Sequence, residues 1–238
     1  MPTEHWRKEA SNWVRWARAP GHDAYWDYRD SFFDIVPPPL RKTIEVGCGE
    51  GRVTRDLTSR GHSMTAIDAS PTMIRFARDA DATRGYLVAD AAALPFPAAR
   101  FDLAIAYNSL MDVDDMPTAV AETARVLRPG GRLCVCITHP INDAGTFSAR
   151  EAGAPFIITE QYLESRTLDE TFLRAGLEMR FHSKRYPLED YSRAFEAAGL
   201  VIESLREPAA DAEAVERDPS ERRWQRIPMF LQLRLLKH

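Results

Sequence analysis

The sequence is poor in the features that mark secreted and membrane-spanning proteins. It has three cysteines in 238 residues, Cys48, Cys134 and Cys136, an odd number that does not suit a disulfide framework. All three fall in or beside predicted strands, which favours free thiols in a reducing compartment. No apolar run approaches the length of a membrane span, and the N-terminus lacks the charged-then-apolar pattern of a signal peptide. We therefore expect a cytoplasmic protein with no membrane partner.

An excess of positive charge is also absent. The formal net charge is −4, so a general attraction to nucleic acid is not expected. Histidine, cysteine and carboxylate side chains are scattered without the spacing of a metal site, and we expect no metal. Hydrophobic residues make up 45% and charged residues 28% of the chain, a composition typical of globular proteins.

The order of the predicted elements indicates one domain, 1–238, of the α/β class. Helical periodicity predicts an N-terminal helical cap at 1–36, before the stiff "PPP" segment. Strands and helices then alternate through a ligand-binding core at 43–138, as in a parallel sheet covered by helices on both faces. The alternation of strands and helices is interrupted by an insertion at 139–186, a candidate lid in which we expect a hairpin that turns near Gly176. The alternation returns in the C-terminal part of the sheet, at 187–238.

Three glycines alternate directly after the first predicted strand, in "IEVGCGEGR" at 44–52. Glycine weakens regular structure, so Gly47, Gly49 and Gly51 indicate either a tight turn or a ligand held against bare backbone. The spacing is not the dinucleotide pattern G-x-G-x-x-G. No Lys-Ser or Lys-Thr pair follows to bind phosphates and magnesium. A nucleoside without a pyrophosphate fits this loop better.

Two further predicted strands end in acids, Asp68 and Asp90. An acid about 20 residues beyond a glycine loop is placed to accept hydrogen bonds from a ribose diol, which describes Asp68. The alternative for both residues is that they cap the helices that follow.

Five segments, in this order and spacing, together resemble the class I S-adenosylmethionine-dependent methyltransferases. They are "IEVGCGEGR", "AIDASPTMI", "ADAAALPF", "FDLAIAYNSL" and "VLRPGGRL", within 43–138. The closer resemblance is to the small-molecule branch that includes the C-methyltransferases of quinone biosynthesis. It implies a doubly wound, mostly parallel sheet of seven strands in the order 3-2-1-4-5-7-6, with the last strand antiparallel.

The resemblance also implies S-adenosylmethionine as cofactor and a role for each matching residue. The glycines would let the methionine part lie on the backbone, with Glu45 orienting the loop and the amino group. Asp68 would bind the ribose, and Asp90 the adenine amino group. Cys48 within the loop is interpreted as a small filler. The implied cofactor-binding residues are Glu45, Gly47, Cys48, Gly49, Gly51, Asp68, Ala69, Met73, Asp90, Ala91, Tyr107 and Asn108.

The acceptor side is less defined by the sequence. His139 follows the fifth strand and is the candidate catalytic base, because imidazole titrates near neutral pH. The alternative is a histidine that hydrogen-bonds the strand-end backbone. Tyr25 and Tyr28 are candidate substrate contacts, although they also fit the buried stripe of two packed helices. Arg185 would bind an acidic substrate group if the hairpin folds over the cavity mouth.

The sequence is compatible with three functions. The first is methyl transfer to O, N or C of a small molecule. The second is methylation of RNA or protein, which the acidic balance disfavours; "YNSLMD" also stands where such enzymes carry an Asn/Asp-Pro-Pro-Tyr motif. The third is a module that binds the cofactor without transferring its methyl group.

Overall fold

The computed structural model describes residues 2–39, 42–82 and 85–238. The helices are α1 (Pro2–Arg18), α2 (Tyr25–Phe33), α3 (Arg52–Ser59), α4 (Pro71–Ala80), α5 (Met116–Val126), α6 (Pro140–Asp143), α7 (Leu188–Ala197) and α8 (Ala212–Arg217), with 3₁₀ turns at Leu110–Asp112 and Pro219–Gln225. The strands are β1 (Thr43–Val46), β2 (Met64–Asp68), β3 (Gly85–Val88), β4 (Phe101–Tyr107), β5 (Leu127–Thr138), β6 (Gly145–Phe147), β7 (Phe156–Ile158), β8 (Arg166–Arg174), β9 (Leu177–Arg185), β10 (Leu200–Arg206) and β11 (Phe230–Lys237).

Seven of these strands form one twisted sheet in the order β3-β2-β1-β4-β5-β11-β10. Neighbours from β3 to β5 are parallel, whereas β11 runs antiparallel to both β5 and β10. The predicted strand order and the predicted antiparallel last strand are therefore confirmed. Because β1 pairs with β2 on one side and β4 on the other, its carboxyl end lies at the point where the order reverses, the usual ligand site in such sheets.

The sheet carries one apolar layer on each face. On one face Val120 of α5 and Phe195 of α7 belong to the larger cluster of buried side chains. On the other face Phe32 of α2 and Leu57 of α3 belong to the second cluster. The central strand β4 is buried at every position, because helices cover both of its faces.

Two helices that border the sheet edge begin as their sequences predict. Ser70 caps α4 by accepting a hydrogen bond from the Met73 backbone N–H, and Pro71 occupies the first turn. Gly51, whose φ of +86° lies in the left-handed region, is the N-cap residue directly before helix α3. Both helices therefore start directly at the edge where β1 and β2 end.

The insertion contains more regular structure than its sequence indicates. The predicted hairpin is present as β8 and β9, and it turns at Ala175 and Gly176, both with positive φ. Strands β6 and β7 form a second, short hairpin in the same insertion. The "RPGG" segment forms an irregularity at the start of β5: Leu127 pairs with Phe101 before the register shifts. No helix in the described ranges combines the length and apolar character needed to cross a bilayer.

Candidate active site

The glycine loop folds over the end of β2. The backbone N–H groups of Gly47 and Cys48 both donate to the Ile67 carbonyl oxygen at 2.9 Å. The N–H of Gly49 donates to Oδ2 of Asp68 at 2.8 Å. The predicted proximity of the loop and the acid is thus present, and it is created by hydrogen bonds between the ends of two adjacent parallel strands.

Steric contacts explain why two of the loop positions are glycine. A Cβ on Gly47, which has φ +75°, would lie 2.5 Å from Cβ of Ser109. Ser109 cannot retreat freely, because its hydroxyl donates to the Val46 carbonyl at 2.7 Å. A Cβ on Gly51 would lie 2.7 Å from Oη of Tyr86. The loop therefore needs glycine both for positive φ and for close packing.

Asp68 is held by the protein but not saturated. Oδ2 accepts from Gly49, and Oδ1 accepts from the Ser70 N–H at 2.8 Å. Each carboxylate oxygen has a second acceptor site, so two ligand hydroxyls can still be bound. Burial raises the pKa of Asp68, although the two backbone donors act in the opposite direction. Ser70, and not Asp68, is the helix cap.

A cavity of about 210 Å³ opens above the loop. Eleven of the twelve predicted cofactor residues line it: Glu45, Gly47, Cys48, Gly49, Asp68, Ala69, Met73, Asp90, Ala91, Tyr107 and Asn108. Gly51 is the exception, because it packs against Tyr86 behind the loop. Asp90, exposed at the rim, accepts a hydrogen bond from the Ala92 N–H through Oδ1. The structure thus brings residues from the ends of β1, β2, β3 and β4 to one cavity.

The floor of the cavity contains a buried carboxyl group. Glu45 is 1% exposed, and its Oε2 accepts a hydrogen bond from the Thr54 hydroxyl. Burial raises its pKa to about 8, in spite of that hydrogen bond and the nearby Arg55. Burial also raises the pKa of the Cys48 thiol well above its usual range. Burial thus disfavours the thiolate, which is consistent with a filler and not with a nucleophile.

Asn108 gives the strongest indication in the cavity that a ligand binds there. Its φ of +48° is rare outside glycine, and its N–H donates to the Cys136 carbonyl at 2.8 Å. Its side-chain Oδ1 is buried without a hydrogen-bond partner in the protein, in a residue that lines the cavity. An unpartnered buried acceptor is costly unless a ligand donates to it. Backbone strain at such a residue is frequent in functional sites, so the cavity fits a ligand that carries N–H or O–H groups.

An aromatic lid, defined here as Trp6 and Trp13 of α1 with Phe181 of β9, contributes three rings to the cavity lining. The Phe181 ring centroid lies 6.4 Å from that of Trp6 and 6.3 Å from that of Trp13, both in edge-to-face orientation. A Cβ on Gly49 would lie 3.3 Å from Nε1 of Trp13. Sequence reasoning predicted lid segments here but not these residues. The available signal was the seven-residue spacing of the two tryptophans, which places them on one helix face.

Asp112 is a site residue that sequence reasoning missed. It lies in the 3₁₀ turn after β4, lines the cavity, and accepts a hydrogen bond from the Ser183 hydroxyl through Oδ1. Burial raises the pKa of Asp112 to about 7, although Ser183 and Trp6 act to lower it. The available signal was its position: Asp68 is the last residue of β2, and Asp112 is likewise an acid on the carboxyl side of a strand, shortly after β4 ends.

His139 does not line the cavity, unlike its neighbour Thr138. Its Nδ1 accepts from the Ile141 N–H at 3.0 Å, which caps α6, and its Nε2 contacts Oε1 of Glu207 at 2.9 Å. Both ring nitrogens are therefore engaged away from the cavity. This placement matches the alternative of a histidine bound to strand-end backbone, and it removes the geometric basis for a catalytic base.

The three predicted substrate contacts also lie outside the cavity lining. The Tyr25 hydroxyl donates to Oδ2 of Asp56 at 2.6 Å, and Tyr28 is 2% exposed. Both belong to the buried stripe of α2, the alternative considered above. The hairpin contributes Phe181 and Ser183 to the cavity lining, but Arg185 at its base pairs with Asp143, its Nη1 lying 3.2 Å from Oδ1.

Comparisons with known proteins identify the family. The family model described as "Methyltransferase domain" matches residues 44–135. The chain is 32% identical over 178 residues to aklanonic acid methyltransferase of Streptomyces sp. strain C5, which covers 71% of this chain and 79% of that protein. The chain belongs to the class I S-adenosylmethionine-dependent methyltransferases. The family resemblance noted in the sequence is thereby confirmed.

Two further similarities show how much of this methyltransferase is matched in sequence and in fold. It is 42% identical over 88 residues to malonyl-[acyl-carrier protein] O-methyltransferase of Salmonella typhimurium, covering 37% of this chain and 35% of that protein. The matches to four such O-methyltransferases span between 35% and 62% of their length. The crystal structure of an S-adenosylmethionine-dependent methyltransferase from Mesorhizobium loti superposes with a TM-score of 0.71 at 24% identity, covering 90% of this chain and 98% of that one. This last similarity concerns the fold.

Proposed function

We propose that this chain transfers the methyl group of S-adenosylmethionine to a small-molecule acceptor. The observation that carries the proposal is the junction of the glycine loop with Asp68. The Gly49 N–H donates to Oδ2 of Asp68 at 2.8 Å, and both residues line the cavity that the aromatic lid borders. A nucleoside lying along this junction meets a carboxylate for its diol and bare backbone for its chain.

The remaining polar groups fit the other parts of the cofactor. Asp90 at the rim would accept from the adenine amino group. Glu45 and the unpartnered Oδ1 of Asn108 would face the ammonium group. Arg52, the one basic residue among the described residues that line the cavity, would face the carboxylate.

The bound cofactor supplies a methyl carbon activated by an adjacent positive sulfur. The chain's contribution is to hold the acceptor in line with it, which contributes on the order of 7 kcal/mol or more in favourable cases. The aromatic lid excludes water, which would otherwise stabilise the concentrated charge of the starting state. We assign cofactor binding to 43–138 and acceptor enclosure to 1–36 and 139–186, with 187–238 completing the sheet. A lid of this kind favours a small acceptor over RNA or a folded protein.

Titration calorimetry with S-adenosylmethionine and S-adenosylhomocysteine tests the proposal. Both ligands should bind the wild-type protein, and Asp68→Ala should weaken binding by about 2–4 kcal/mol because charge-assisted hydrogen bonds are lost. Asp79→Ala on α4 is the matched control, since that carboxylate is exposed and outside the cavity lining. No binding at millimolar cofactor would refute the function. Binding without turnover to S-adenosylhomocysteine in any acceptor mixture would leave the non-catalytic module.

For cellular location we propose the cytoplasm. The support is that all three cysteines are buried free thiols, as expected in a reducing compartment. Cell fractionation checks this, and recovery in a membrane or secreted fraction would contradict it.

A further inference from the structure

The part of the cavity lining contributed by the segment after β4 and by the β8–β9 hairpin has its own chemistry, distinct from that of the glycine loop, and we interpret it as the acceptor end. Asp112 and Ser183 lie there beside the aromatic lid, with Met111 and Val113 as apolar neighbours. None of these residues belongs to the predicted cofactor set. They come from the segment after β4 and from the hairpin, and Ser183 joins the two elements by donating to Asp112.

The charge of the cavity restricts what can bind at this end. Its described lining includes Asp68, Asp90 and Asp112. Two further lining acids contribute less negative charge: Glu45, whose pKa of about 8 favours the neutral form, and Glu50, which pairs with Arg18 at 2.6 Å and with Arg55 at 2.7 Å. The basic lining residue Arg52 donates to Oδ2 of Asp23 at 2.7 Å, and its guanidinium lies 5.0 Å from the Trp13 ring centroid. No second lining cation among the described residues is available to neutralise a carboxylate on the acceptor. An anionic acceptor would therefore be repelled.

An ammonium acceptor would meet the opposite difficulty. An acidic cavity stabilises the protonated amine, which has no lone pair with which to attack carbon. A neutral hydroxyl avoids both problems, because it donates to the Asp112 carboxylate while keeping lone pairs on oxygen. Flat aromatic walls suit a planar apolar body.

We propose that this methyltransferase acts on a neutral aromatic hydroxyl compound, with Asp112 binding the hydroxyl group and accepting its proton. This inference rests on the proposed function. The hydroxyl proton passes to the Asp112 carboxylate, and an oxygen lone pair forms the bond to the methyl carbon while the electron pair of the carbon–sulfur bond stays on sulfur. The proton leaves Asp112 for water when the lid opens. The raised pKa of Asp112, about 7 through burial, makes it a stronger base than an exposed carboxylate.

Three naphthalene probes that differ in one group test the inference: 2-naphthol, 2-naphthoate and 2-naphthylmethylammonium. Calorimetry first establishes S-adenosylhomocysteine binding, whose absence would count against the proposed function itself. Each probe is then titrated into the loaded protein. We expect 2-naphthol to bind at least tenfold more tightly than 2-naphthoate. With S-adenosylmethionine in place of S-adenosylhomocysteine, 2-naphthol should accept the radiolabelled methyl group, whereas the ammonium probe should bind without being methylated. Tighter binding of 2-naphthoate, methylation of the ammonium probe, or no binding of 2-naphthol would overturn the inference while leaving cofactor binding intact.

Asp112→Asn supplies the residue-level test. We expect it to retain S-adenosylhomocysteine affinity, to bind 2-naphthol about tenfold more weakly, and to lower the rate of radiolabelled methyl transfer by 100-fold or more. Asp79→Asn removes the same charge at an exposed site and should leave all three quantities unchanged. Unchanged 2-naphthol affinity in Asp112→Asn would refute the assignment.

Discussion

The Gly49 N–H and Oδ2 of Asp68, 2.8 Å apart, join the ends of the two strands that frame the cavity floor. The bond makes the loop conformation and the acid position depend on each other. Asp68 loses one of the two backbone donors that orient it if the loop moves, and the loop loses an acceptor if Asp68 is replaced. Loop glycines and cofactor affinity should therefore be coupled.

Gly47→Ala tests that coupling. The new Cβ would clash with Ser109 at 2.5 Å and would also occupy a left-handed φ of +75°. We expect a stability loss of about 2–5 kcal/mol, from backbone strain of about 1–2 kcal/mol and overpacking of about 1–3 kcal/mol, and much weaker S-adenosylmethionine binding. Urea unfolding and calorimetry measure the two effects.

Gly130→Ala is the matched control for that experiment. Gly130 has nearly the same φ, +76°, but a Cβ there has no atom within 4 Å. The Gly130→Ala protein should lose only the stability that backbone strain costs, and it should keep full cofactor affinity. Equal effects of the two substitutions would show that the contact with Ser109 is unimportant.

Phe181→Ala should open the lid. Its ring centroid lies within 6.4 Å of those of Trp6, Trp13 and Trp16, and aromatic pairs contribute about 0.5–1.5 kcal/mol each beyond burial. We expect a red shift of tryptophan emission, faster trypsin cleavage in the hairpin, and a stability loss of about 2 kcal/mol. Leu173→Ala, on the same hairpin but 73% exposed, should show none of these changes. A Phe181→Ala spectrum like that of wild type would contradict the lid.

The proximity of the glycine loop to Asp68 could be predicted from the sequence because its determinants are local. Gly47, Gly49 and Asp68 each stand at a strand end, and the carboxyl ends of parallel strands meet at one edge. Nothing beyond the alternation of strands and helices is needed to place them together. The same reasoning should have included Asp112, which also follows a strand.

The part of the cavity lined by α1 and the hairpin depends on contacts between distant segments. Trp6 meets Phe181 only because the hairpin packs against α1, and no periodicity in either segment encodes that contact. Arg185 illustrates the same limit: its element was predicted, but its partner Asp143 is set by tertiary packing. His139 was assigned from residue type and strand-end position, which do not reveal that the ring turns to cap α6.

Glu45 should make stability depend on pH. Its pKa rises from 4.5 to about 8 on folding. Between these values the folded protein holds a proton that the unfolded chain has lost, so stability decreases as pH rises. Glu45→Gln should remove up to about 1.4 kcal/mol per pH unit from that slope, as measured by urea unfolding from pH 5 to 8. Glu4→Gln, at an exposed pair with Lys8, should keep the wild-type slope. Parallel slopes for wild type and Glu45→Gln would contradict the raised pKa.

Substitutions of His139 distinguish its role as the cap of α6 from the role of a catalytic base. If the ring serves only to cap α6, asparagine should replace it, because its Oδ1 can accept from the Ile141 N–H as Nδ1 does. We expect His139→Asn to keep near wild-type stability and cofactor affinity, and His139→Ala to lose about 1 kcal/mol in urea unfolding. Methyl transfer should survive in His139→Asn, because asparagine keeps the cap but cannot act as a base. A loss of turnover in a stable, cofactor-binding His139→Asn protein would return the histidine to the role of catalytic base and displace Asp112 from it.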